Sequence, residues 1–140
     1  MSAAIVHRTP RALVRWLTAL LASGALLLSL PASALQPIID LEDQIVPDGL
    51  SLKQVKTAIK RGAAVRKWIA KEKGPNAFEV TLFNRKYVVK VKITYSANSY
   101  SITYVSSQNM KAQNGRIHRK YNGWVSNLNN DIQRALYEVS

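Results

Sequence analysis

The sequence predicts a small α+β domain: a four-stranded antiparallel meander with two helices packed on one face, in the order α-β-β-β-β-α. Three observations predict it. Apolar residues recur at helical spacing in two segments, Leu52 to Ala63 and Ile117 to Leu136. Between them the period changes to two, in four short segments. The connections between those segments are short, so successive strands must run antiparallel.

Residues 1–34 stand apart from that domain. They contain no acid and three arginines, Arg8, Arg11 and Arg15. An apolar stretch runs from Trp16 to Leu30, Pro31 breaks it, and Ala32-Ser33-Ala34 ends it. Basic head, apolar core and small-residue site in that order make a secretory signal of a bacterial-type cell. Cleavage is expected between Ala34 and Leu35, releasing a periplasmic domain with no stable transmembrane segment. The competing reading is a retained membrane anchor. A spanning helix needs roughly 20 predominantly apolar residues. This run has 15 and includes Thr18, Ser23, Gly24 and Ser29. Neither a twin-arginine pair nor a lipidation cysteine occurs.

Residues 35–50 read as an extended, mobile acidic leader. They hold Pro37 and Pro47 and four of the eight acids, Asp40, Glu42, Asp43 and Asp48. Residues 51–140 form the single domain. A helix starts near Ser51, with Asp48 or Ser51 as its cap, and ends near Arg66. Leu52, Val55, Ile59 and Ala63 mark its buried face. Gly62 either ends it or lets it approach a neighbour closely.

Trp68–Glu72 is the first strand, closed by the turn signal Lys73-Gly74-Pro75-Asn76. Ala77–Phe83 follows, with Phe78, Val80 and Leu82 on one face, and Asn84-Arg85-Lys86 connects tightly to the next strand. Tyr87–Tyr95 is the clearest strand, alternating Val89, Val91 and Ile93 with Lys90, Lys92 and Thr94. Ser99–Val105 places Tyr100, Ile102 and Tyr104 opposite Ser101 and Thr103. After a polar loop to Arg116, a second helix is expected over Ile117–Tyr137, striped by Tyr121, Trp124, Val125, Leu128, Ile132 and Leu136. The sheet face away from the helices is expected to be polar and wet.

The segments Ser99-Tyr100-Ser101-Ile102, Tyr104 and Ile117-His118-Arg119-Lys120-Tyr121-Asn122-Gly123-Trp124-Val125, with Leu128 and Ile132, resemble a family of small uncharacterised periplasmic proteins and lipoproteins of Gram-negative bacteria. The resemblance covers about Leu52 to Leu136. It implies a signal peptide, one helix, a small antiparallel sheet and a closing helix. It brings no assigned activity. Many relatives carry a lipidation cysteine at the mature N-terminus, and this chain has none, so membrane anchoring does not transfer.

Charge bounds the partners. The chain carries +12, of which Arg8, Arg11 and Arg15 contribute three, leaving +9 on residues 35–140. Export removes nucleic acid as a partner. Lipopolysaccharide, acidic phospholipid head groups, cell-wall polymers and acidic proteins remain. With no cysteine, disulfides, thiolate metal sites and cysteine nucleophiles are excluded. No cofactor is expected.

Two sets of residues are candidate sites. Lys71, Lys90 and Lys92, with Ser101 and Thr103, are expected on the outer sheet face as a surface for an anionic ligand. Tyr100, Tyr104, His118, Tyr121, Asn122 and Trp124 could line a cleft between helix and sheet, where aromatic rings and amides suit a sugar. Tyr121 and Trp124 also lie on the buried helical stripe, and core packing is the reading preferred for them.

His118 is the sole histidine after residue 34, and the next acid along the chain is Asp131, too far along one helix to touch it. It is read as a helix-start residue. Paired carboxylates, Gly-rich phosphate loops and hydrolase motifs are missing. The expected function is therefore non-catalytic: a binding or adaptor domain for an anionic envelope component or protein. The alternative is a small modulator or inhibitor of a secreted enzyme that acts by strand addition.

Overall fold

A computed structural model describes residues 35–140. The expected signal segment lies outside the described residues. Helix α1 spans Leu52–Val65 and starts for a local reason. Ser51 Oγ accepts the Gln54 N–H at 3.1 Å, and Gln54 Oε1 accepts the Ser51 N–H at 2.8 Å. Two donors that the helix leaves unpaired are thus satisfied reciprocally.

The end of α1 is local too. The Trp68 N–H reaches the Ala63 carbonyl and the Lys67 N–H reaches the Ala64 carbonyl, at 3.0 and 3.1 Å. This pair of bonds reverses the chain through Lys67, whose φ of 67° is left-handed. Trp68 therefore belongs to the helix stop, and the first strand of the meander begins one residue later than expected.

Strands β3 (Ile69–Glu72), β4 (Ala77–Asn84), β5 (Tyr87–Tyr95) and β6 (Ser99–Gln108) make the expected antiparallel meander. The expected count of four strands is corrected to five in this sheet, whose order is β2-β6-β5-β4-β3. The added strand β2 (Leu41–Ile45) comes from the leader, read above as a mobile arm. A kink hid it. Its pairing with β6 shifts register between Leu41 and Gln44, where Asp43 adopts φ 50° and donates its N–H to Ser101 Oγ. A bulge of this kind breaks the alternation by which a strand is recognised.

The second correction concerns the closing helix. Arg116–His118 is a short strand, β7, paired with β1 (Leu35–Pro37) in a separate two-stranded sheet. Helix α2 starts only at Lys120 and runs to Val139. Ile117 is fully buried, as the apolar stripe requires, but it pairs with Gln36 across β7. A spacing of four residues from Tyr121 satisfies a helical pattern without demanding a helix.

Both helices pack on one face of the five-stranded sheet. Val55, Ile59 and Ala63 of α1 and Tyr121, Leu128 and Ile132 of α2 share one core with Phe78, Val80, Val91, Ile93, Tyr100 and Ile102. Gly62 sets the separation of the helices. A Cβ there would stand 2.6 Å from Ile132 Cα. Among the described residues no helix is long and apolar enough to cross a membrane.

Two outcomes follow. Gly62→Ala should lower stability by about 1–3 kcal/mol through overpacking, against roughly 1 kcal/mol of helix propensity gained. Lys67→Gly should raise stability by about 0.5–1 kcal/mol, because glycine relieves the left-handed strain at some entropic cost. Thermal and urea unfolding of the domain checks both. A Gly62→Ala domain that melts at or above the parent would contradict the close helix contact.

Candidate functional site

The outer face of the sheet gathers the expected basic set. β4–β5 pairing puts Glu79 beside Lys92 and Thr81 beside Lys90. β5–β6 pairing puts Thr103 beside Lys92 and Ser101 beside Thr94. Lys71 stands opposite Glu79 on β3. Lys71, Glu79, Lys92 and Thr103 thus form one row across four strands. The face is not uniformly cationic, because Glu79 accepts a salt bridge from Lys90 at 3.2 Å. Thr103 Oγ1 lies 3.5 Å from the Lys92 carbonyl.

The expected aromatic cleft is dispersed. Tyr100 is buried, donates its hydroxyl hydrogen bond to Asn129 Oδ1 and accepts one from Gln133 Nε2 at 2.8 Å. Burial pushes its hydroxyl up to about 12, against a smaller lowering by Gln133. Tyr104, half-buried, meets the buried Tyr121 edge to face at 5.5 Å at the margin of the core. The Tyr121 hydroxyl is buried without a partner among the described residues, and desolvation, with the charge of Asp40, holds its pKa well above the ordinary phenol value.

Asn122 faces the N-terminal segment instead. Its Nδ2 donates to the Pro37 carbonyl at 2.9 Å, and its Oδ1 accepts the Ile39 N–H at 3.2 Å. Of the expected cleft residues, Trp124 lines an open hollow, with His118 close by across Tyr87.

That hollow lies between the β4–β5 hairpin and the first turns of α2. It has a volume of about 740 Å³. The hairpin supplies Arg85, Lys86 and Tyr87, and α2 supplies Lys120, Gly123 and Trp124. The turn is tight, since Asn84 pairs directly with Tyr87, and Arg85 takes a left-handed φ of 55° at its tip.

Tyr87 is the hub. His118 lies 5.5 Å away, Trp124 meets it edge-on at 5.9 Å, and the Lys86 and Lys120 ammonium groups stand 5.4 and 5.6 Å from its ring centre. The electron-rich ring face attracts both cations. None of Arg85, Lys86 and Lys120 has a carboxylate within ion-pair distance among the described residues.

His118 reports the local field. Its Nδ1 accepts the Lys120 N–H at 3.2 Å, so it acts as the helix-start residue expected of it. Desolvation, then the charges of Lys120, Arg119, Lys111 and Lys86, hold its pKa below the usual 6.5. Asp131 is buried further along α2, more than three turns from His118, where Arg66 Nε reaches its Oδ2 at 2.9 Å. Among the described residues no group of three or more His, Cys, Asp or Glu side chains is arranged to hold a metal ion.

Sequence reasoning missed the hairpin cations. Asn84-Arg85-Lys86 was legible as a turn, and adjacent basic residues at a tight turn ahead of an aromatic were the available signal. Their partners on α2 lie over 30 residues away, beyond any local pattern. Comparison with protein-family models, with curated proteins and with solved structures finds no match to this chain.

The lowered His118 pKa sets a sign for stability. As pH falls below 6.5, the unfolded chain takes up this proton before the folded one does. Stability contributed by the neutral ring is present above 6.5 and declines as pH falls toward the folded value. His118→Gln should flatten that segment of the stability profile. Urea unfolding from pH 7.5 down to pH 5, parent against variant, checks it, and parallel profiles would refute it.

Proposed function

We propose that residues 35–140 form a non-catalytic binding domain of a bacterial-type cell envelope, exported by the N-terminal segment, which holds an anionic envelope component by charge. The observation that carries this reading is how the acids are used. Glu72 pairs with Lys56, Glu79 with Lys90 and Asp131 with Arg66, while Asp40 Oδ1 accepts the Tyr104 N–H at 2.9 Å. These contacts use four of the eight acids, and the surplus of +9 on residues 35–140 is carried by lysines and arginines that are mostly exposed. Such a surface concentrates anions and speeds their encounter.

Lys71 and Lys92 in the row across the sheet, with Ser101 and Thr103 as hydroxyl donors, are the first residues assigned to that contact. Resemblance to small periplasmic proteins supports the compartment. The alternative, strand addition at a sheet edge, is less favoured. β3 at one edge is four residues long and carries Lys71, and β2 at the other is kinked at Asp43. Short, charged or bulged edges resist pairing.

Sedimentation of the cleaved domain with phosphatidylglycerol vesicles, with phosphatidylcholine vesicles as the neutral control, tests the reading. Binding should require the anionic lipid and weaken steeply with salt. Replacing both Lys90 and Lys92 by Glu should weaken it by at least about 30-fold, taking roughly 1 kcal/mol per lost cation near the surface. Binding that ignores salt, or that the double variant leaves unchanged, would overturn the sheet-face assignment.

A further inference from the structure

We infer that the cleft between the β4–β5 hairpin and α2 is the binding groove for an anionic glycan. The inference deepens the proposed function and rests on it for the sign of the ligand's charge; the chemistry of the ligand comes from the groove itself.

The groove is longer than its main hollow. A second hollow of about 260 Å³ shares Asn84, Trp124 and Asn127 with the first and is lined further by Arg66, Trp68 and Leu82. Two adjoining hollows that share these residues and open to solvent suit a ligand of more than one unit. A deep apolar pocket, such as an acyl tail requires, is not what these residues form.

Three kinds of group line the channel, and each answers one part of an acidic sugar. Tyr87 and Trp124 present aromatic surface inclined at 61° to each other. The two rings meet edge to face, which leaves no slot for a flat base between parallel walls, and the half-buried indole of Trp124 supplies an apolar surface on which a pyranose face can rest. Asn84 and Asn127 supply amides whose donors and acceptors match ring hydroxyls. Neither amide is occupied by another described residue. Arg85, Lys86 and Lys120 supply positive charge without carboxylate partners, ready for a carboxylate or phosphate on the sugar.

Gly123 is the independent observation. It is the fourth residue of α2, where glycine costs roughly 1 kcal/mol relative to alanine. Unlike Gly62, it has no packing reason, because a Cβ there would meet nothing within 4 Å. The missing side chain leaves the helix backbone open at the floor of the channel. Close approach of a ligand to the backbone is what glycine at such a position permits.

Residues 35–140 contain two tryptophans, Trp68 and Trp124, and both line the channel, so intrinsic fluorescence reports on it directly. The test titrates the cleaved domain with oligogalacturonate as the acidic glycan, with maltohexaose as a neutral glycan and with inorganic phosphate as charge alone. Oligogalacturonate should shift the emission saturably, and maltohexaose should bind at least tenfold more weakly. Phosphate at equal charge concentration should neither shift the emission nor displace the oligomer.

Gly123→Leu should fill the channel floor, reduce oligogalacturonate affinity at least tenfold, and leave phosphatidylglycerol vesicle binding unchanged. Replacing both Lys86 and Lys120 by Glu provides a second variant on exposed positions, with at least a tenfold loss expected. Replacing both Lys90 and Lys92 by Glu should leave oligogalacturonate affinity within threefold, which separates failure of this inference from failure of the sheet-face reading. Equal binding of acidic and neutral oligomers, displacement by phosphate, or full affinity in a folded Gly123→Leu domain would overturn it.

Discussion

Gly62 packs so tightly over Ile132 that the backbones of α1 and α2 lie almost in contact. Much of the domain's geometry follows from that approach. Two helices pressed together form a single slab, narrow enough to sit on one face of the five-stranded sheet and bury its alternate residues. The same approach brings Arg66, one turn beyond Gly62, against Asp131, the neighbour of Ile132. A buried carboxylate would be costly without that partner. The helix stop at Lys67 then turns the chain directly into β3, so the end of α1 and the edge of the sheet are fixed by the same few residues.

The N-terminal segment is held by side chains that reach it from α2 and β7. Asn122 of α2 bonds both sides of the turn between β1 and β2. Arg116 of β7 donates to the Leu35 carbonyl at 2.8 Å. Gln133 of α2 bonds the Ile45 carbonyl and the Tyr100 hydroxyl at once, while Asn129 bonds Gln44. Tyr100 is the centre of this network, joining β6, α2 and β2 through a hydroxyl that burial obliges to find partners. The acids in this segment serve structure as well. Asp40 takes the Tyr104 N–H just beyond the last β2–β6 pairing at that end, so the carboxylate extends the ladder.

Charge is arranged differently in the two basic regions. On the sheet face Glu79 stands among Lys71, Lys90 and Lys92, and the residues around them are hydroxyls on a flat surface. At the hairpin Lys86 and Lys120 gather around one aromatic ring, with no carboxylate within ion-pair distance among the described residues, and the surface is concave. A flat, partly neutralised face suits salt-dependent steering toward an extended anionic surface. A concave site with aromatics and amides suits recognition of a particular ligand. Lys120 and Lys86 of the second region add to the burial that lowers the His118 pKa, which links the groove to the helix start.

Local physics made most of the fold legible in the sequence. Ser51 announced the start of α1, alternation gave Tyr87–Tyr95 its boundaries, and short turns made the meander antiparallel. Gly62 was ambiguous, because only a partner helix tells a helix stop from a close contact. β2 escaped because the bulge at Asp43 erased its alternation, and β7 escaped because Ile117 fits a helical stripe as well as a strand. Of the site, the basic sheet face was legible from side-chain alternation within single strands. The cleft at the hairpin was not. It unites residues of β4, β5 and α2 that no local pattern connects, and it exists only because the helix slab and the hairpin end at the same edge of the core. Composition, charge and local periodicity are written in the chain. Which side chains share a surface depends on tertiary packing, because proximity across elements is a property of the fold.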